Sequence, residues 1–223
     1  MAKNKYVHAV IFDLDQTLLD REKSLTKFLD WQINFFQIVS NENKMAFKKR
    51  FIELDRHGSV WKDVVYTKLI EEFSLMQSLD TLLQSYIEDF NKFSIAFEGV
   101  ELAIKNLYQQ GYQLGLISNG KVPFQENNFK ALGLNEYFSS VLVSEAIGIR
   151  KPDTAIFNRS CLQLNTEPEH CVFIGDNEIA DIQGAKKAGM KTIYFNQNLN
   201  KRSQLSNENL HHFKDLDFII SNL

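Results

Sequence analysis

The chain has 223 residues, 44% of them hydrophobic and 24% charged, with a formal net charge of −3. That length and composition suit one large or two modest globular domains. The charge excludes a basic nucleic-acid footprint and a polybasic membrane patch, and no apolar stretch is long enough to span a bilayer.

Lys3 and Lys5 precede an apolar run, Val7 to Phe12, that is too short for a signal peptide and ends at Asp13. A cytoplasmic protein is expected. The run reads as a buried strand, and Asp15 follows Asp13 by two residues. Strand alternation would put both carboxylates on one face. Two like charges this close raise one pKa and invite a counter-ion, an arrangement suited to a nucleophile beside a general acid.

From about Ser24 to Phe93 the texture changes to amphipathic, aromatic-rich helical runs with few glycines. Leu25, Phe28, Leu29, Gln32 and Phe36 mark one run, Trp61, Val64, Val65, Lys68 and Leu69 a second, and Leu79, Leu82, Leu83, Tyr86, Ile87 and Phe90 a third. The expected organisation is an α/β core, residues 1–17 and 97–223, interrupted by a helical domain, residues 18–96. Inserted there, the helices would lie over the carboxyl ends of the strands, where open α/β sheets bind ligands.

Beyond Glu98, short β-branched runs alternate with helical patterns. Strands are expected at Tyr112 to Ile117, Val141 to Val143, Val172 to Ile174 and Thr192 to Phe195, with a short last one at Asp217 to Ile220. Helices are expected at Glu101 to Gln110, Phe124 to Leu132, Asp153 to Leu164 and Ile179 to Ala188, with Asp153 as an N-cap. This alternation implies a doubly wound, mostly parallel sheet. Cys161 and Cys171 have no metal or redox spacing and read as reduced thiols.

Three strand ends carry further polar groups. Ser118-Asn119-Gly120 offers a hydroxyl, an amide and a flexible backbone suited to an anion. Lys151, in Arg150-Lys151-Pro152-Asp153, could neutralise that anion. Gly175-Asp176 ends the fourth strand, and Asp181 follows in the first turn of the next helix. Carboxylates converging from two strands suit Mg²⁺.

Taken in order, these motifs resemble the haloacid dehalogenase-like hydrolase superfamily. The resemblance rests on Asp13-Leu14-Asp15-Gln16-Thr17-Leu18, Ser118, Lys151, and Gly175-Asp176 with Asp181, and it covers nearly the whole chain. It implies a Rossmann-like sheet of order 5-4-1-2-3 with an all-α cap inserted between the first two motifs. It also implies Asp13 as the nucleophile that forms an aspartyl-phosphate and Asp15 as the proton carrier. Mg²⁺ would be held by the Asp13 and Asp176 carboxylates and the Asp15 carbonyl. Ser118, the Asn119 N–H and Lys151 would bind the phosphoryl oxygens. Asp181 would orient Lys151 or a water on the metal, or occasionally join the metal. An acid at position 15 favours esters, whose leaving oxygen needs a proton, over carbon–halogen bonds. Gln16 departs from the family's usual Gly or Asp.

Arg56, His57 and Gly58, with Trp61 and Lys62 close behind, form a polar turn where related caps carry a specificity loop. Solvated charges and a packed Trp61 are the favoured reading for any one of them. Trp31, Phe35 and Phe36 read as core of the helical segment, and His211-His212 as surface. The expected activity is Mg²⁺-dependent hydrolysis of a small phosphomonoester by a monomer or homodimer, with no nucleic-acid or membrane partner. A phosphosugar mutase and a silent phosphometabolite-binding protein are the alternatives.

Overall fold

Six short strands form one wholly parallel sheet in the computed structural model, which describes residues 6–223. Lys3 and Lys5 lie outside the described residues. The strands are β1 (Ala9–Phe12), β2 (Gln113–Ser118), β3 (Ser140–Val143), β4 (Cys171–Gly175), β5 (Lys191–Phe195) and β6 (Glu208–Leu210). Their order is β3-β2-β1-β4-β5-β6, the expected five-strand order extended at the β5 edge. The added strand is not the anticipated one. Asp217 to Ile220 lies in a helix, Leu216–Ser221, that turns Leu216 and Ile220 inward, and the pairing edge is supplied upstream by Glu208–Leu210.

Every residue of β1 and β4 is buried, because helices cover both faces of a parallel sheet. Below one face, Ala9, Ile11, Ile117 and Phe173 pack with Ile156, Phe157 and Cys161 of the helix Thr154–Gln163. Cys161 and Cys171 are free, buried thiols whose Sγ atoms lie 3.4 Å apart. The helix Val100–Gln109 buries Val100, Ala103, Ile104 and Leu107, the spacing of one helical face.

The chain divides into two compact units, one running up to Arg21 and from Ile95 to Leu223, the other Glu22–Ser94. The division falls a few residues from the expected boundaries because backbone pairing holds the flanks to the sheet unit. Leu19 bridges Ala96, Phe97 N–H donates to Leu18 O, and Asp20 N–H donates to Ile95 O.

The second unit consists of four helices: Arg21–Phe35, which begins at the boundary, Lys44–Asp55, Lys62–Phe73 and Leu79–Asp89. Lys44–Asp55 was not among the expected runs. Its buried stripe is only Phe47, Phe51 and Asp55, so charge masks its periodicity. Phe28 contacts Tyr86 edge-on at 5.4 Å between centroids, and Phe51 meets Tyr66 likewise at 5.4 Å. Phe35 is not core: it is 65% exposed and stacks on Trp31 at 5.0 Å. Gln32 is fully buried, with Nε2 donating to Leu82 O (3.1 Å) and Oε1 accepting from Tyr66 Oη (2.7 Å). No helix is long and apolar enough to cross a membrane among the described residues.

Trp31 and Trp61, the two tryptophans of the chain, both lie in the helical unit, so their emission reports on that unit. Gln32→Leu leaves the Leu82 carbonyl and the Tyr66 hydroxyl without this partner. It should lower the stability read from tryptophan emission in urea by about 1–3 kcal/mol. An unchanged midpoint would count against the buried amide as a structural tie.

Candidate active site

The central strand β1 is flanked by β2 and β4, so the winding direction reverses beside it. Chain ends at such a switch point leave a crevice beyond the carboxyl ends of the strands. Asp13 follows β1 directly, and its N–H donates to Ile174 O of β4 at 2.9 Å, fixing it beside Asp176. Ser118 closes β2, one strand over.

Asp15 reaches the site differently from the expected strand alternation. The strand stops at Phe12, and a tight turn follows in which the N–H groups of Thr17, Leu18 and Leu19 all donate to Leu14 O. Gln16 takes a left-handed conformation (φ 59°). The second carboxylate is therefore placed by a turn, not by the pleat.

Lys151 lies at the centre, 3% exposed. Its Nζ is 2.5 Å from Asp13 Oδ1 and 2.7 Å from Asp181 Oδ1, and it sits 5.3 Å from the centre of the Phe173 ring. Burial opposes its charge, but Asp13 and Asp181 beside it hold its pKa well above the usual lysine value. The side chain of Asn119 clamps the lysine's backbone from both sides: Oδ1 accepts from Lys151 N and Nδ2 donates to Lys151 O, each at 2.9 Å. From sequence, Asn119 was expected to meet an anion through its amide or its N–H; here the side chain holds Lys151 instead. Ser118 Oγ is buried without a hydrogen-bond partner among the described residues, a donor free to meet an anion.

Asp181 owes its place to an unusual turn. Glu178–Gln183 is a π-helix, where a plain α-helix was expected. Asn177 caps it, accepting from the N–H groups of Ile179 and Ala180 at 3.0 and 2.9 Å. Such wide turns concentrate at functional sites, and this one points Asp181 back at the strand end, where Oδ2 accepts from Asn177 N at 3.0 Å. A Cβ on Gly175 would collide with the Asp181 carboxylate, so the glycine before Asp176 is a requirement of this approach.

Carboxylate oxygens of Asp13, Asp176 and Asp181 lie within 4.8 Å of one another. Asp181 is thus the third side chain of the acidic cluster, and the Asp15 side chain is not part of it. Burial, opposed by Lys151 and reinforced by Asp181 and Asp15, pushes the Asp13 pKa up to about 7. Burial, with Asp13 and Asp181 next, pushes Asp176 up to about 8. One lysine does not balance these carboxylates. An all-oxygen, over-charged cluster is the donor set that a hard divalent cation prefers.

Asp15 is held apart from the cluster by Gln125, a residue without an obvious sequence signal. Gln125 Nε2 donates to Asp15 Oδ2 at 2.8 Å. The helical unit contributes a different picture for the expected specificity turn. Arg56, His57 and Gly58 are exposed and all have positive φ. Gly58 N donates to Asp55 Oδ2 at 2.8 Å. Lys62 is not a solvated charge: it is buried, 2.5 Å from Asp55 Oδ1, and donates to Val60 O. Trp61 is half-buried against the edge of Tyr86. His211 is half-buried too, its Nδ1 2.6 Å from Asn196 O, whereas His212 is exposed.

The chain is 27% identical to a glyceraldehyde 3-phosphate phosphatase of Pyrococcus furiosus, over 97% of this chain and 90% of that protein. It is 26% identical to the pyrimidine 5'-nucleotidase PynA of Streptococcus pneumoniae, over 84% of this chain and 83% of that one. Among solved structures, the magnesium-bound HAD-hydrolase YfnB of Bacillus subtilis superposes with a TM-score of 0.79 at 25% identity, covering 96% of this chain and 98% of YfnB. The sequence profile of the haloacid dehalogenase-like hydrolases matches residues 10–195. Matched over most of the sheet unit and all of the helical one, the chain belongs to the haloacid dehalogenase-like hydrolase family.

Proposed function

We propose that this chain is a Mg²⁺-dependent phosphatase of small phosphomonoesters that works through an aspartyl-phosphate. The observation that carries the reading is the division of labour between the two aspartates: Asp13 sits in the acidic cluster against Lys151, and Asp15 stands outside it on Gln125. Relatives named as phosphatases of a triose phosphate and of pyrimidine nucleotides support the reaction class.

In the first step a carboxylate oxygen of Asp13 attacks phosphorus. The bond to the ester oxygen breaks, its electron pair stays on that oxygen, and Asp15 supplies the proton. In the second, Asp15 takes a proton from water as that water attacks phosphorus, and the Asp13 carboxylate is released. Lys151, Ser118 and the Asn119 N–H hold the phosphoryl oxygens, where negative charge is spread. Asp13, Asp176 and the Asp15 carbonyl would hold Mg²⁺, with Asp181 beside them. When bound, the cation supplies the charge that lets an anionic nucleophile approach an anionic ester. Glu22–Ser94 is assigned to substrate choice, with Arg56 and His57 its exposed candidates. A cytoplasmic protein fits this role.

Purified protein should hydrolyse p-nitrophenyl phosphate with Mg²⁺, and Asp13→Asn should lose at least about 10³-fold in kcat, the order expected when a covalent nucleophile is removed. Equal rates in both would sink the assignment of Asp13. A wild type inert across a broad panel of phosphorylated metabolites would sink the phosphatase.

The raised carboxylates also set a pH dependence. Their folded values of about 7 and 8 exceed the unfolded value of 3.8, so between those limits the folded state holds more protons. The metal-free protein should lose stability as pH rises through that window. Mg²⁺ competes with those protons. Its stabilisation, about 2.7 kcal/mol at a hundredfold excess over Kd, should be small near pH 5 and grow toward pH 8. Melting curves with Mg²⁺ and EDTA at each pH would show it, and a Mg²⁺ shift indifferent to pH would contradict it.

A further inference from the structure

Asp15 has two carboxylate oxygens with unlike surroundings. Oδ2 accepts from Gln125 Nε2 at 2.8 Å. Oδ1 is buried and finds no hydrogen-bond partner among the described residues. Gln125 itself is 4% exposed, and its Oε1 is likewise buried without a partner. A buried amide directed at a single carboxylate is costly unless the contact is needed. A carboxylate in its ionised form only accepts, so the NH₂ face of the amide is the one that must meet it.

Gly120 is part of the same arrangement. Its backbone is not left-handed, so the residue is not a glycine for conformational reasons. The reason is space: a Cβ there would lie 2.5 Å from Gln125 Cγ and 2.8 Å from Nε2. Helix Phe124–Ala131 carries Gln125, and Gln125 N–H donates to Lys121 O at 3.0 Å, which fixes where the side chain starts. The glycine leaves the channel through which it reaches Asp15. In the sequence, Gly120 read only as a flexible end to an anion-binding turn.

We propose that Gln125 is a positioning residue that selects which oxygen of Asp15 carries the proton, and that Gly120 is a glycine to admit it. With Oδ2 engaged by the amide, the proton resides on Oδ1, the oxygen without a hydrogen-bond partner. It passes from Oδ1 to the leaving oxygen as the P–O bond breaks and returns to Oδ1 from the attacking water. This inference rests on the reading of Asp15 as general acid and base.

The readout is dependence on the leaving group. The p-nitrophenolate of p-nitrophenyl phosphate departs with little need of a proton, and the more basic phenolate of phenyl phosphate needs one. Values of kcat/KM with Mg²⁺ on a series of aryl phosphates between these two separate proton delivery from general damage. Gln125→Met and Gly120→Ala should each lose about tenfold more on phenyl than on p-nitrophenyl phosphate, a part of the ~10²–10⁴-fold that general acid catalysis supplies. Asp15→Asn should steepen the series further in the same direction.

If Asp15→Asn steepens it and Gln125→Met does not, the positioning role is wrong. If both Gln125→Met and Gly120→Ala depress all esters equally, the amide is merely structural and the proposal is overturned. If Asp15→Asn leaves the series flat, the fault lies with Asp15 as the acid, and the role of Gln125 falls with it.

Discussion

The site depends on one buried ammonium. Lys151 Nζ lies between Asp13 and Asp181, 2.5 and 2.7 Å from their oxygens, in a setting where an unpaired charge of either sign would be expensive. It therefore ties together three chain segments that are far apart in sequence: the end of β1, the loop after β3, and the π-helix after β4. Asn119 extends the tie to β2 by gripping the lysine's backbone. Removing the lysine would leave two buried carboxylates without their cation, so the residue proposed to meet the phosphoryl oxygens also ties the site together.

The tie is incomplete by design of charge. Asp13 and Asp176 both titrate far above ordinary carboxylates because burial and mutual repulsion outweigh what one lysine can offset. A divalent cation would resolve that imbalance with the oxygens that the fold has already gathered. In the proposed function, stability, metal affinity and the ionisation of Asp13 are linked through the same carboxylates.

In the proposed mechanism proton transfer lies outside this cluster. Asp15 is carried past it by the turn at Leu14 to Leu19 and engaged by Gln125, so its side chain stays outside the acidic cluster. Two aspartates separated by one residue have different partners, Lys151 for Asp13 and Gln125 for Asp15, and the roles proposed for them rest on that difference.

The sequence by itself determined five of the parallel strands and the polar residues that follow them, because buried strands must be apolar runs and the groups after them stand out as polar interruptions; the order of the strands came only through the family resemblance. Asp13 and Asp176 were legible for that reason, whereas Lys151, set off from β3 by the short helix Ser144–Ile147, stood out only through the order of the family's motifs. Other features were not. The expected strand at Asp217 to Ile220 became a helix because a short apolar run fits either period, and only packing arbitrates. Lys62, read as a surface charge, is buried on Asp55, since the pattern of a helix does not say which polar residues pair inside. The clamp by Asn119, the π-turn that delivers Asp181, and the reach of Gln125 to Asp15 across 110 positions are contacts between segments with no local signature. Hydrogen bonds of that kind exist only once the strands have been brought side by side, so tertiary structure alone decided them.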